Sequence, residues 1–209
     1  MSYCNTNIEN FVGVGQYGIP QIQPVYDLPI HKWVEFAKIQ RNYADKSDTM
    51  IHFFTDDTVF ERLWNHPNKY IIPLSRYGGM LSPDFSMYTE MPKAVQIYNH
   101  YRKHWLAAYY QQNGFTVIPT IGWVDEDSFD WCFDGEPEGS IVAVSNVGGV
   151  RNPESSRLFK LGYEEMIRRL HPKEILFYAK SFKAENYGSN VRRIMYGHGY
   201  TIEVPNDLG

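Results

Sequence analysis

Three aspartates, Asp57, Asp84 and Asp125, stand in polar stretches that directly follow apolar runs. Two or three carboxylates brought together in this way have the donor chemistry to hold Mg²⁺ or to serve as general acid and base. Asp56 and Asp57 follow Met50–Phe54, Asp84 lies within Ser82-Pro-Asp-Phe-Ser86, and Asp125 and Asp127 come after Trp123. Each also has a plainer use. Asp57 and Asp127 suit N-caps of the helices that follow them, and Asp84 suits an acceptor of backbone N–H groups in its own turn.

A second candidate is Ser145-Asn-Val-Gly-Gly-Val-Arg151, between an apolar run and the helix start Asn152-Pro153. Free N–H groups at Ser145 and Asn146, close approach at Gly148 and Gly149, and the charge of Arg151 would together cradle a phosphate or carboxylate. The alternative is an ordinary strand-to-helix turn. Lys180 would add a cation at the same edge, or lie on the surface, and Trp123 would offer a wall on which a ring can stack.

Other patterns point to less. Gly13-Val-Gly15-Gln-Tyr-Gly18 has the G-x-G-x-x-G spacing, but Ile19-Pro20 and Pro24 follow where the motif needs a helix. A turn is expected there and no dinucleotide cofactor. His100 and His104 have the i, i+4 spacing of a metal pair without the glutamate of a zincin after the first, and the helix phase turns them away from the sheet as exposed residues. Ser145 lacks a nucleophile elbow and an identifiable base.

These residues need elements to position them. Apolar runs predict strands at 50–54, 70–74, 79–81, 115–121, 140–145, 174–179 and 199–204. Helical spacing predicts helices over 30–44, after Asp57 with Thr58-x-x-Glu61 as a capping box, over 89–112, across 129–133, and from Asn152-Pro153 to His171. The long helix should turn Met91, Ala94, Tyr98, Tyr101, Trp105 and Ala108 to the sheet. Strands alternating with helices imply an α/β fold with a mostly parallel sheet and flanking helices, either an open three-layer sheet or a partial or distorted barrel. Residues 1–29, rich in Gly, Pro and Gln, read as an extended N-terminal arm on a single domain of residues 30–209.

Composition bounds the rest. The chain has 209 residues, 16% of them aromatic, and a net charge of -4. The charge is uneven: residues 1–150 hold 10 Lys and Arg against 17 Asp and Glu, and residues 151–209 hold 10 against 7. The acidic stretch from Asp125 to Glu138 would repel a phosphate backbone unless a metal intervened. Two cysteines, Cys4 and Cys132, indicate neither a disulfide framework nor a cysteine metal site. No apolar segment is long enough to cross a bilayer and no signal peptide is evident, so a soluble cytoplasmic protein without a membrane partner is expected.

The run Leu81-Ser-Pro-Asp-Phe-Ser-Met-Tyr-Thr-Glu-Met-Pro92, with Gln96, Asn99, Tyr101-Arg102, Val117-Ile-Pro-Thr-Ile-Gly-Trp123, Cys132-Phe-Asp-Gly135 and Val142-Ala-Val-Ser145, resembles a bacterial family of domains of unknown function, the one numbered 4417. Tyr17-Gly-Ile-Pro20, His52-Phe-Phe54 with Asp57, and Ile175-Leu176 with Tyr178 extend the likeness over most of the chain. The resemblance implies one intracellular α/β domain in a phage, prophage or mobile-element setting, and transfers no catalytic residue. The reading that results is a protein that recognises a phosphorylated small molecule, nucleotide or nucleic-acid end at the carboxyl edge of its sheet, with hydrolytic chemistry. Asp57, Asp84 and Asp125 would be the acid, base or metal groups. The alternative is a non-catalytic protein that occupies a host enzyme or defence protein through an aromatic and acidic surface.

Overall fold

The computed structural model describes residues 11–30, 32–39, 44–147, 152–179, 190–195 and 201–204. A short hairpin comes first, β1 (Gly13–Val14) and β2 (Ile19–Pro20), with Gly15 and Gly18 in the left-handed conformation that glycine takes at no steric cost. The G-x-G-x-x-G spacing is therefore the punctuation of a turn.

The main sheet contains β3 (Lys32–Glu35), β4 (Lys46–His52), β5 (Tyr77–Leu81), β6 (Val117–Ile118), β7 (Ile141–Ser145), β8 (Glu174–Ala179), β9 (Val191–Met195) and β10 (Thr201–Val204). Their order is β6-β5-β4-β3-β10-β9-β8-β7. Neighbours are parallel except β10, which runs antiparallel to both β3 and β9. The two ends of this order meet. Thr120, just past β6, bridges Ala143 of β7 in parallel. The Ile121 N–H donates to the Ala143 carbonyl at 2.8 Å, and the Ala143 N–H to that of Pro119 at 2.8 Å. The sheet thus closes into an irregular barrel, which decides between the two architectures left open by the sequence.

Strand alternation sorts the apolar residues into an inside and an outside. Inside, Trp33, Met50, Leu81, Ile118, Ile141, Ala143, Leu176, Tyr178 and Ile194 fill the barrel. Outside, Val34, Ile51, Met80 and Val117 meet Phe60, Leu63 and Trp64 of α1 (Asp57–Asn65) and Trp105, Leu106 and Tyr110 of α3 (Lys93–Gln112). On the other flank Val142, Val144, Ile175, Phe177 and Val191 meet Tyr163, Met166 and Leu170 of α4 (Pro153–Leu170). Strands buried on both faces read as continuous apolar runs, as they do here. The amino end of the barrel is covered by residues 21–30: Leu28 packs inside, and Val25 exchanges hydrogen bonds with Ser140 and Ile141.

Some elements differ from the sequence reading. Residues 32–38 form β3 and a 3-10 turn, Phe36–Lys38, instead of the helix expected from 30 to 44, because Trp33 is needed inside and Val34 and Phe36 outside. The segment Tyr70–Leu74, expected as a strand, is a 3-10 turn, Pro67–Tyr70, followed by α2 (Ile71–Leu74), which buries Leu74 and leaves Ile72 70% exposed. Helix α3 starts after Pro92, not at Thr89. Strand β9 has no counterpart in the sequence reading. Helix α4 begins where expected, with the Asn152 side chain accepting from the Ser155 N–H at 2.8 Å, and it ends at His171, which is left-handed before Pro172.

Helix α4 presses on the barrel wall through Gly162. A β-carbon there would stand 2.2 Å from Nε1 of Trp123, whose indole lies across the helix and donates to the Leu158 carbonyl at 3.2 Å. Gly162→Ala should gain about 1 kcal/mol of helix propensity and lose about 1–3 kcal/mol by overpacking a ring that its bond to Leu158 and its contact with Phe159 hold in place. The expected net result is a lower melting temperature with a changed tryptophan emission. A more stable Gly162→Ala variant with unaltered emission would show that the indole is loosely held.

Candidate functional site at the barrel mouth

The carboxyl ends of β3, β4, β5, β7 and β8 open on a cavity of about 720 Å³. Its wall includes Glu35, Lys38, Phe54, Asp56, Asp57, Asp84, Ser86, Tyr88, Ser145 and Tyr178. A second cavity of about 450 Å³ adjoins it, between the loop after β5, Trp123 and the first turns of α4. Asp84, Ser86, Tyr88, Ser145 and Val147 line both. Volumes of this size suit a small ligand.

The loop that carries Asp84 is held by the polar face of α3. Gln96 donates to the carbonyls of Tyr88 and Met91 at 2.9 and 3.0 Å, and Asn99 donates to that of Ser86 at 2.6 Å. Arg102 donates to Asn99 at 2.6 Å and to both oxygens of Glu61 at 2.9 Å, and it covers the Phe85 ring at 3.9 Å. Helix α3 therefore buries Gln96, Asn99, His100, Lys103 and His104, whereas Tyr98, expected inside, is 38% exposed. Apolar spacing misjudged this face because its polar side chains are hydrogen-bonded, which makes their burial tolerable.

Asp57 and Asp84 come together at the mouth. Asp56, not Asp57 and not Thr58, is the N-cap of α1: it accepts from the Thr58 N–H at 2.9 Å. Asp57 is freed to reach across to the loop after β5, where the N–H and hydroxyl of Ser86 donate to it at 3.0 and 2.9 Å. Burial raises its pKa above the usual carboxylate value, and the Ser86 bonds and Arg102 oppose the rise. Asp84 is half-buried, and among the described residues no hydrogen bond reaches its carboxylate. Burial pushes its pKa up to about 6, with Lys103 pulling it down and Asp57 pushing it up. Carboxyls tuned in this direction are the kind that exchange protons near neutral pH.

Asp125 lies elsewhere. It caps the 3-10 turn Glu126–Asp130 by accepting from the Ser128 N–H at 3.1 Å, the capping role that Asp127 was expected to play, and it lines neither cavity. Trp123 lines the smaller cavity, with its ring 5.4 Å from that of Phe159. The Ser145 hydroxyl accepts from the Val147 N–H at 3.0 Å, and the Asn146 N–H donates to the Tyr178 carbonyl at 3.3 Å. Gly148, Gly149, Arg151 and Lys180 lie outside the described residues.

The sequence reading missed an aromatic floor. Phe54 and Tyr178 stack at 4.7 Å, and His52 lies 5.1 Å from the Tyr178 ring. Burial lowers the His52 pKa to about 4, so this imidazole is neutral at pH 7. The signal was present, since two-residue alternation places Met50, His52 and Phe54 on one face with His52 and Phe54 at the carboxyl end. Among the described residues the larger cavity carries the carboxylates of Glu35, Asp56, Asp57 and Asp84 against the single ammonium of Lys38.

The family model described as a domain of unknown function (DUF4417) matches residues 11–194. The chain belongs to the DUF4417 family. Among relatives of this DUF4417 chain, a "Gene 1 protein" of Mycobacterium phage L5 is 39% identical over 170 residues, covering 81% of the chain and 74% of that protein. A "Gene 1 protein" of Mycobacterium phage D29 is 36% identical over 170 residues, again 81% of the chain but 63% of that protein, so the chain spans less than two thirds of it. No solved structure is detectably similar. Among the described residues of the DUF4417 chain, no helix is long and apolar enough to cross a membrane.

A carboxyl titrating near 6 in the folded chain and near 4 when unfolded makes folding take up a proton between those pH values. Stability contributed by Asp84 is therefore full below pH 4 and is lost as pH rises through 6. At pH 8 the ionised group should cost on the order of 2 kcal/mol. Asp84→Asn should raise the melting temperature by roughly 4–8 °C at pH 8 and leave it unchanged at pH 4. Equal effects at both pH values would rule out the raised pKa.

Proposed function

We propose that the protein binds a small phosphorylated molecule bearing a planar ring, of the nucleotide class, in the mouth of the barrel, and that Asp84 exchanges a proton with it or with a water that attacks it. The observation that carries this reading is the position of Asp84: one carboxyl, poised near neutral pH, in the wall shared by both cavities. Three things support it. In barrels of parallel strands, sites form at the carboxyl ends of the strands. The stacked Phe54–Tyr178 pair offers a face for a ring. The surplus of carboxylates fits a ligand whose phosphates arrive with a divalent cation, for which Asp57 would be an oxygen donor of the protein.

The likeness to two phage proteins supports a phage or mobile-element setting, where nucleotides and nucleic-acid ends are plentiful chemistry. The interaction-protein reading is less well supported, because exposed apolar side chains such as Val12, Ile72, Tyr88 and Ile167 belong to different elements and two cavities of ligand size are present.

The test is a thermal-shift panel of nucleoside mono- and diphosphates, ribose phosphates and inorganic phosphate, each with and without Mg²⁺. At least one nucleoside phosphate should raise the melting temperature in Mg²⁺, and Asp84→Asn and Tyr178→Ala should each weaken its binding about tenfold or more. If no member of the panel shifts the wild-type protein, the nucleotide reading fails.

A further inference from the structure

A second cluster of chemistry-bearing groups lies outside the barrel, beneath α3. His100 and His104, one helical turn apart, are 1% and 0% exposed, and the Glu136 side chain beside them is fully buried. The sequence reading turned both histidines to solvent, and the structure turns them inward. One donor atom from each of the three residues lies within 4.8 Å of the other two.

Hydrogen-bond chemistry fixes both tautomers. Nε2 of His100 is 3.1 Å from the Asp134 carbonyl, and Nδ1 of His104 is 2.8 Å from that of Pro20. A carbonyl oxygen only accepts, so each of these nitrogens carries the hydrogen. The other nitrogen of each neutral ring is then a bare lone pair. Nδ1 of His100 is buried with no partner among the described residues, and so is Oε2 of Glu136. Nε2 of His104 faces Oε1 of Glu136 at 3.0 Å. Lone pair against carboxylate is not a hydrogen bond, and only a cation between the two makes that distance favourable.

A proton is one such cation, but one held between His104 and Glu136 would still leave Nδ1 of His100 and Oε2 of Glu136 without a partner among the described residues. Charge balance points to a larger cation. Two carboxylates lie here, Glu136 and Asp134, against the Lys103 ammonium, which donates to Glu136 at 2.6 Å and to the Thr120 carbonyl at 2.8 Å. Arg169, which also acts on Asp134, is taken up by Glu165 at 2.6 Å. Gly135 lets the chain come close: a β-carbon there would stand 2.8 Å from Nδ1 of His104 and 2.6 Å from the Pro20 carbonyl.

We propose that His100 Nδ1, His104 Nε2 and the Glu136 carboxylate bind one divalent transition-metal ion of the zinc class. Two imidazoles and a carboxylate are a zinc donor set, and each imidazole donates its other N–H to a backbone carbonyl, as metal-bound histidines do. At bond lengths of about 2.0–2.1 Å, neighbouring ligand atoms stand about 3.3 Å apart, so donor atoms now within 4.8 Å of one another must draw together to hold the ion. The three donors leave a fourth position for a water, and their burial sets the ion beneath α3, where it would tie elements together. It joins α3, the loop carrying Asp134–Glu136 and, through the Pro20 carbonyl, the amino-terminal hairpin.

The full chain should be stripped with chelator and reloaded with Zn²⁺ or Co²⁺. Elemental analysis should find about one ion per chain, and free Zn²⁺ at a hundred times Kd should raise the melting temperature by about 5–10 °C. Co²⁺ should give visible absorption without a thiolate charge-transfer band. His100→Gln and His104→Gln should each reduce the bound metal to near zero. Because a histidine variant could fail to fold, Lys103→Met supplies an independent arm: it removes the cation that competes for Glu136, so its loss of stability should be restored by Zn²⁺. The proposal is overturned if the wild-type chain takes up no metal and Zn²⁺ leaves Lys103→Met unrescued, or if metal binds and both histidine variants retain it. The cluster would then be a buried Lys–Glu–His ion-pair network alone.

Discussion

The architecture turns on Thr120. Its N–H takes the Ser82 hydroxyl as acceptor at 2.8 Å, its hydroxyl donates to the Ser82 carbonyl at 2.9 Å, and its backbone bridges Ala143. It therefore ties the end of β5 to β7 at the one place where β6 is too short to do so with ladder bonds. Without this seam the sheet would have two free edges and no mouth, and the loops after β5 and β7 would have no reason to face one another. The Thr120 carbonyl also receives Lys103, so the same residue anchors the buried charge cluster to the barrel wall.

Lys103 links the two sites by electrostatics. Its side chain is 3% exposed, its ammonium contacts Glu136, and its charge favours the ionisation of Asp84. A buried charge of this kind is tolerated only when its hydrogen bonds are made, and removing one partner costs more than the pair contributes. Helix α3 is thus more than a cover for the sheet. One stretch of it, Gln96 to Arg102, fixes the loop that carries Asp84, and the next, His100 to His104, faces the hairpin and the loop after the 3-10 turn at Glu126–Asp130.

The sequence made most of the parallel frame legible, because strands such as Ile141–Ser145 and Glu174–Ala179 are buried on both faces and read as unbroken apolar runs. Helix α4 was legible down to its cap and its stop. Residues 32–38 were not, since Trp33, Val34 and Phe36 occur in both helical and strand patterns and only the position of Trp33 inside the barrel separates them. Asp57 and Asp84 could be nominated from their place after strands. The roles of Asp56 and Asp125 could not, because either member of a neighbouring pair of acids can cap, and the loop geometry chooses. The inward turn of His100 and His104 was invisible for a similar reason: a polar face is buried only where tertiary partners such as Glu136 and the Pro20 carbonyl await it, and those lie over 30 and 80 residues away in the chain.

Strand β10 bears on how the molecule is made. Among the described strands of the main sheet it alone runs against its neighbours, and it sits between β3 and β9, with Thr201 opposite Trp33. During synthesis the amino-terminal strands emerge first and must wait, one edge unpaired, until the last described strand has left the ribosome. Pairing so distant in sequence slows folding and leaves the nascent chain open to association with other chains in the interval.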